Sequence, residues 1–176
     1  VTITGRIKVV NSTESVDAAV IAGVSAPFKL IEQISNIQPS NNAKLTSNDS
    51  INITWNKLGG SLDKVKLYLS PSNGDAGTYV LLKSADNTGS ASWNVPNDVR
   101  SVNCKIKVEN FYNANNFAVS DGVFTIKNRL TITTPAVGTP PWNVGSTYAI
   151  QWNYEGPNLI NGEPANPVKV KLEYSP

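Results

Sequence analysis

The sequence has no histidine, no methionine and a single cysteine, Cys104. Without histidine there can be no Ser-His or Cys-His nucleophilic pair and no histidine-containing metal site. One cysteine cannot form an intramolecular disulfide. The missing methionine means that these 176 residues do not carry their own translation start, so a mature product or a stretch of a longer protein is expected. Charge is scarce: 16% of residues are charged and the net charge is +2, which gives no case for nucleic acid or an anionic membrane as partner. No apolar run approaches the roughly 20 residues of a membrane helix. No basic-then-apolar leader opens the chain, and no glycine-rich phosphate loop occurs.

Hydrophobic residues make up 40%, enough for a core, and Asn, Ser and Thr are abundant. That polar, cysteine-poor balance fits a prokaryotic exterior protein better than a disulfide-stapled ectodomain. The apolar pattern has period two. Ile51, Ile53 and Trp55 share one face of a strand, Val65, Leu67 and Leu69 one face of another, and Cys104, Ile106 and Val108 one face of a third. Turn chemistry separates these runs at Pro71–Thr78, Ala85–Ser90, Val95–Asp98 and Asn113–Asn116. Seven strands are predicted, near 34–37, 50–55, 64–69, 78–82, 90–93, 103–108 and 122–126. No helical period is sustained. Short alternating strands at this density predict an all-β fold of immunoglobulin- or fibronectin-III-like sandwiches, with Trp55 and Trp93 in the core.

The sequence also repeats itself. "RIKVVN" at Arg6 returns as "KIKVEN" at Lys105, an offset of 99 (105 − 6), and Gly23-Val24 aligns with Gly122-Val123 at the same offset. "VKLYLSP" at Val65 returns as "VKLEYSP" at Val170, and "INITWN" at Ile51 as "YAIQWN" at Tyr148. Three pieces are expected: 1–29 as the C-terminal part of one module, 30–129 as a complete module, and 130–176 as the N-terminal part of a third. Trp152 is then expected in a core like that around Trp55, and Val170, Leu172 and Tyr174 on an inward strand face.

The stretch Leu130–Gly156, with Pro135, Trp142, Val144-Gly145-Ser146 and Trp152, followed by "VKVKLEYSP", resembles a family of tandem Ig-like repeats in large bacterial and archaeal cell-surface proteins. That family is similar to the N-terminal domain of the Ser/Thr-rich, GPI-anchored fungal wall-assembly proteins. The central piece keeps Trp55 and "ASWNVP" but has "KLTSNDS" where the third has "WNVGS". The resemblance implies an extracellular surface, wall or adhesion role, with a surface-layer (S-layer) protein as the natural home, and it carries no catalytic motif.

Cys104, on an inward face, reads as buried and inert. The acidic residues sit mostly in turns, where Asp caps the backbone, rather than as a catalytic carboxylate pair. Ser72–Gly77 and Ala85–Gly89 offer oxygen ligands for a structural calcium but lack EF-hand spacing; no other cofactor is expected. Asn11, Asn48 and Asn52 head candidate N-glycosylation sequons. Trp142, in a loop, is a plug for the sandwich end or a sugar-stacking platform. Tyr154, in a long loop relative to the central piece, is the candidate ligand contact. Two functions follow: a structural repeat of a surface lattice, whose partners are adjacent modules and copies of itself, or an adhesin or carbohydrate-binding accessory module, whose partner is wall glycan. Neither is an enzyme.

Overall fold

A computed structural model describes residues 3–10, 22–30, 32–59, 62–157, 159–160, 163–164 and 170–175. All regular structure among them is β. Four short strands come first: β1 (Ile3–Gly5), β2 (Lys8–Val10), β3 (Ala22–Val24) and β4 (Phe28–Leu30). β1 pairs with β4 and β2 with β3.

The central part is a two-sheet sandwich. Its strands are β5 (Gln33–Gln38), β6 (Lys44–Thr46), β7 (Ser50–Leu58), β8 (Lys64–Ser70), β9 (Val80–Asp86), β10 (Ser90–Asn94), β11 (Ser101–Asn110), β12 (Asn113–Val119) and β13 (Phe124–Lys127). One sheet has the order β10-β7-β5; the other runs β6-β13-β11-β8-β9, with β12 also on β11. Every pairing is antiparallel except β6 with β13. The alternating residues meet between the sheets: Ile34, Ile53, Trp55 and Trp93 from one side pack with Leu67, Ile106, Val108 and Phe124 from the other in one buried cluster. Cys104 is fully buried in it, as expected.

Two strands escape the sequence pattern. β6 is three residues long and forms the parallel edge. "NANN" at Asn113–Asn116, expected as a turn, lies in β12, and the reversal falls at Phe111-Tyr112. Asn disfavours strands, but here β11 offers a ladder to pair with; Asn113 and Asn115 stay exposed on it and Asn116 is half-buried. β9 begins at Val80 rather than Thr78.

Beyond the sandwich, β14 (Arg129–Thr134) pairs with β15 (Gln151–Glu155), and β16 (Leu159–Ile160) with β17 (Glu163–Pro164). β14–β15 reproduces β5–β7 pair for pair. Gln33↔Leu58, Ile34↔Lys57 and Ser35↔Asn56 become Arg129↔Glu155, Leu130↔Tyr154 and Thr131↔Asn153. A bulge follows in both ladders, and Pro39 and Pro135 each follow a cis bond. Each ladder ends in a positive-φ glycine, Gly59 or Gly156. A Cβ there would collide with Glu32 in the first case and with Asn128 in the second, two residues that hold the same place before their strands.

The N-terminal strands match the other sheet. Ser25 N donates to Ile7 O at 2.8 Å while its Oγ accepts from Ile7 N at 2.9 Å. Ser120 makes the same two bonds with Ile106, at 2.8 and 3.2 Å. This corrects one expected alignment. Ser25 corresponds to Ser120, so Gly23-Val24 matches Ala118-Val119 and not Gly122-Val123. The offset drops from 99 (106 − 7) to 95 (120 − 25) because the connection between the two strands is four residues longer in the first copy. The strand limits also differ by a residue from the expected divisions: β4 runs through Leu30 and β14 starts at Arg129.

The third piece departs from expectation in burial. Tyr148–Ile150 precede the strand, which starts at Gln151. Trp152 is 37% exposed, where its counterpart Trp55 is 3%. Val170, Leu172 and Tyr174 are exposed and lie in no strand. The reason is common to all: no second sheet covers β14–β15, and no strand lies beside 170–175 among the described residues.

Candidate functional site

The sandwich passes into the next ladder through one residue, Asn128, between β13 and β14. The turn Ser47–Asp49 lies against this passage. Ser47 is fully buried, and its N and Oγ both donate to Lys127 O, at 2.8 and 3.1 Å. Asp49 accepts from Thr46 N at 2.8 Å, and Asn48 sits at φ +65°. Arg129 then ties the two parts together. Its Nε donates to Ser47 O at 3.1 Å and its Nη2 to Asp49 Oδ1 at 2.5 Å, while Glu155 Oε2 stands 3.4 Å from Nε. Asn48 Nδ2 donates to the same Glu155 oxygen at 2.9 Å. Two carboxylates, one from the Ser47–Asp49 turn and one from β15, therefore share one guanidinium, whose planar fork suits such bridging. A one-residue linker clamped from both sides makes a stiff connection.

Tyr154 belongs to this junction rather than to an open ligand loop. Its hydroxyl accepts from Asn128 Nδ2 at 2.5 Å and donates to Pro157 O at 2.8 Å. Trp142 stacks flat on Tyr148, with ring centroids 4.5 Å apart and planes 1° from parallel, and Asn143 N donates to the Tyr148 hydroxyl at 2.8 Å. By the repeat, Trp142 takes the place of Leu45, which packs against the central core. On the β14–β15 ladder an open depression of about 450 Å³ is lined by Thr133, Ile150, Gln151, Trp152 and Asn153.

Of the sequons, Asn52 is exposed on the outer face of β7, opposite Ser92. Asn48 is exposed but has its amide nitrogen on Glu155. Asn11 lies outside the described residues. Both loops weighed for calcium spend some of their polar atoms on internal hydrogen bonds. In Ser72–Gly77, Ser72 O accepts from Asp75 N at 3.0 Å and Asp75 O accepts from Thr78 N at 3.1 Å. In Ala85–Gly89, Asn87 points inward: its Oδ1 accepts the Trp55 indole N–H at 2.6 Å and its Nδ2 donates to Leu62 O at 2.9 Å. Among the described residues no group of three or more acidic, Cys or His side chains converges on a metal position.

A cluster on the outer face of the larger sheet was not legible in the sequence. Lys107 and Glu109, two apart on β11, pair at 2.8 Å, and both are largely covered. The Lys107 ammonium lies 4.2 Å from the Tyr68 ring centroid and 5.0 Å from that of Tyr79, a cation–π arrangement. Burial, then the Glu109 charge and its hydrogen bond, raise the Tyr68 hydroxyl above its ordinary pKa. Glu109 is thus a strand residue in a packed cluster, not one of the turn acids. Burial likewise pushes the Cys104 thiol up to about 11, which keeps it protonated and unreactive at neutral pH.

Among the described residues no helix is long and apolar enough to cross a membrane. No known family model matches the chain, and no curated protein sequence matches it significantly.

Proposed function

We propose that the chain is a structural repeat segment of a large extracellular surface protein, a tandem array of Ig-like sandwiches in a surface-layer or cell-wall lattice. The observation that carries this reading is the ladder built twice, β5–β7 and β14–β15, with equivalent cross-strand pairs and equivalent terminal glycines. The Arg129 clamp supports it, because a linker held by Asp49 and Glu155 transmits load from one unit to the next instead of hinging. The weakly charged, Asn- and Thr-rich surface suits lateral packing through hydrogen bonds that salt does not screen. Tyr154, the residue best placed for ligand contact in an adhesin, is engaged in the junction.

Antibodies raised against residues 33–127 test the proposal on native cells. Continuous labelling of intact cells is expected. Signal that appears only after permeabilisation would refute a surface location. Specific hits on a glycan array, without ordered assembly, would favour the carbohydrate-binding alternative.

A further inference from the structure

The two outer faces of the central sandwich differ in charge. The strands of the smaller sheet turn no charged side chain outward; Asn52, Thr54 and Ser92 are typical of that face. The larger sheet turns six lysines outward: Lys44, Lys64, Lys66, Lys105, Lys107 and Lys127. Only Glu109 and Asp86 share that face on its strands. The face therefore carries +4 (6 − 2) while the whole chain carries +2, so the rest of the chain is net acidic. Among the described residues only Lys107 of the six has a carboxylate within ion-pair distance, Glu109 at 2.8 Å. Such a concentration of one sign repels itself and does nothing for folding.

Aromatic rings stand among these lysines. Lys107, already over Tyr68 and Tyr79, is also 5.6 Å from the Phe117 ring centroid. Lys66 is 4.9 Å from that of Phe111, whose ring meets Tyr112 edge-on at 5.0 Å. Phe117 and Tyr112 nevertheless remain 52% and 73% exposed. From β9 to β12 the patch crosses four strands, about 14 Å at roughly 4.8 Å per strand.

We infer that this face binds an acidic polysaccharide, with Phe117 and Tyr112 stacking on sugar rings and Lys64, Lys66 and Lys105 neutralising carboxylates. An aromatic ring offers an apolar face that matches the C–H face of a pyranose, and an ammonium is a point charge suited to a lone carboxylate. No strand of the larger sheet contains arginine, whose fork suits phosphates. The choice of a glycan over a nucleic acid rests also on the extracellular reading proposed above; the charge and the rings do not. The charge recurs along the repeat. Arg6 and Lys8 hold the places of Lys105 and Lys107, with Lys8 opposite Val24 as Lys107 is opposite Val119, and Lys171 holds that of Lys66. A polymer can therefore engage successive units and gain avidity. The rings do not recur: Ala22 stands in the place of Phe117 and Glu173 in that of Tyr68, so the stacking site belongs to the central sandwich.

Isothermal titration of the 176-residue chain with polygalacturonate tests this. Binding that weakens linearly on a log–log plot against salt is expected. Dextran has sugar rings without charge and polyglutamate has charge without sugar rings, and each is expected to bind at least tenfold more weakly. Lys64→Gln and Lys105→Gln are each expected to lower the salt slope by about one. Phe117→Ala is expected to weaken binding about tenfold with the slope unchanged, and Tyr112→Ala, the more exposed ring, serves as a second variant. Urea unfolding of the sandwich reports that each variant is folded. No binding of polygalacturonate at about 1 mM uronate would overturn the inference. So would polyglutamate or single-stranded DNA binding as tightly as polygalacturonate, or folded ring variants that bind like the wild type. Cell labelling that appears only after permeabilisation would overturn the surface location alone and leave these isotherms standing.

Discussion

Replacing Asn87 with alanine tests how the core tryptophan is held. Asn87 is 5% exposed, and its two side-chain bonds join the Trp55 indole N–H to the Leu62 carbonyl. Its backbone bonds, from Lys57 Nζ to its carbonyl and from its N–H to Asp63 O, survive the change. Alanine strands two buried polar groups, each worth about 1–3 kcal/mol, so Asn87→Ala is expected to destabilise the sandwich by about 2–6 kcal/mol. With a urea slope of about 1–2 kcal/mol/M for a module of this size, the midpoint falls by at least about 1 M. Trp55→Phe removes the N–H in advance. In that background Asn87→Ala loses only the Leu62 bond, and the double-mutant cycle is expected to show a coupling of about 1–3 kcal/mol. An Asn87→Ala midpoint within about 0.3 M of wild type, or strictly additive effects, would refute the reasoning.

The Cys104 thiol ionises near 9 in the unfolded chain and at about 11 in the fold, so between those values the unfolded state releases a proton that the fold retains. Stability then falls as pH rises through that window, by about 1.4 kcal/mol per unit and about 2–3 kcal/mol in all, relative to Cys104→Ala; parallel pH profiles of urea midpoints for the two proteins would contradict this. Arg129→Ala is expected to change the unfolding of the sandwich by less than about 1 kcal/mol, because its ion pairs are more than a third exposed. The same variant is expected to lower the ¹⁵N order parameters of residues 129–155, and unchanged values would show that the clamp does not stiffen the junction. Gly59→Ala, at φ +108° with a Cβ driven into Glu32, is expected to destabilise the sandwich by about 1–3 kcal/mol, whereas Gly156→Ala leaves sandwich unfolding unchanged. Equal thermal shifts from both would contradict the assignment of the two glycines to separate units.

Alternation alone located most of the sandwich strands, because Val65, Leu67 and Leu69 or Cys104, Ile106 and Val108 can all be buried together only if the backbone is extended. Trp55 and Trp93 were legible for the same reason. Asn87 was not: a turn asparagine looks alike whether its amide faces water or an indole 32 residues away. Lys107 and Glu109 sit on outward positions, but the rings that cover them come from β8 and from the loop after it. The burial of Trp152 was wrongly anticipated because a repeated sequence carries the same inner-face residues whether or not a second sheet is present to cover them. Arg129 bears no motif; its role comes from the turn at Ser47–Asp49, which lies some 80 residues away in sequence.

The central claim is that the chain belongs to a tandem array of sandwiches, and the intact mass of the protein extracted from its native source tests it most directly. The account predicts a mass many times 18.9 kDa, with any excess over the encoded mass due to glycan. A mass near 18.9 kDa would contradict it.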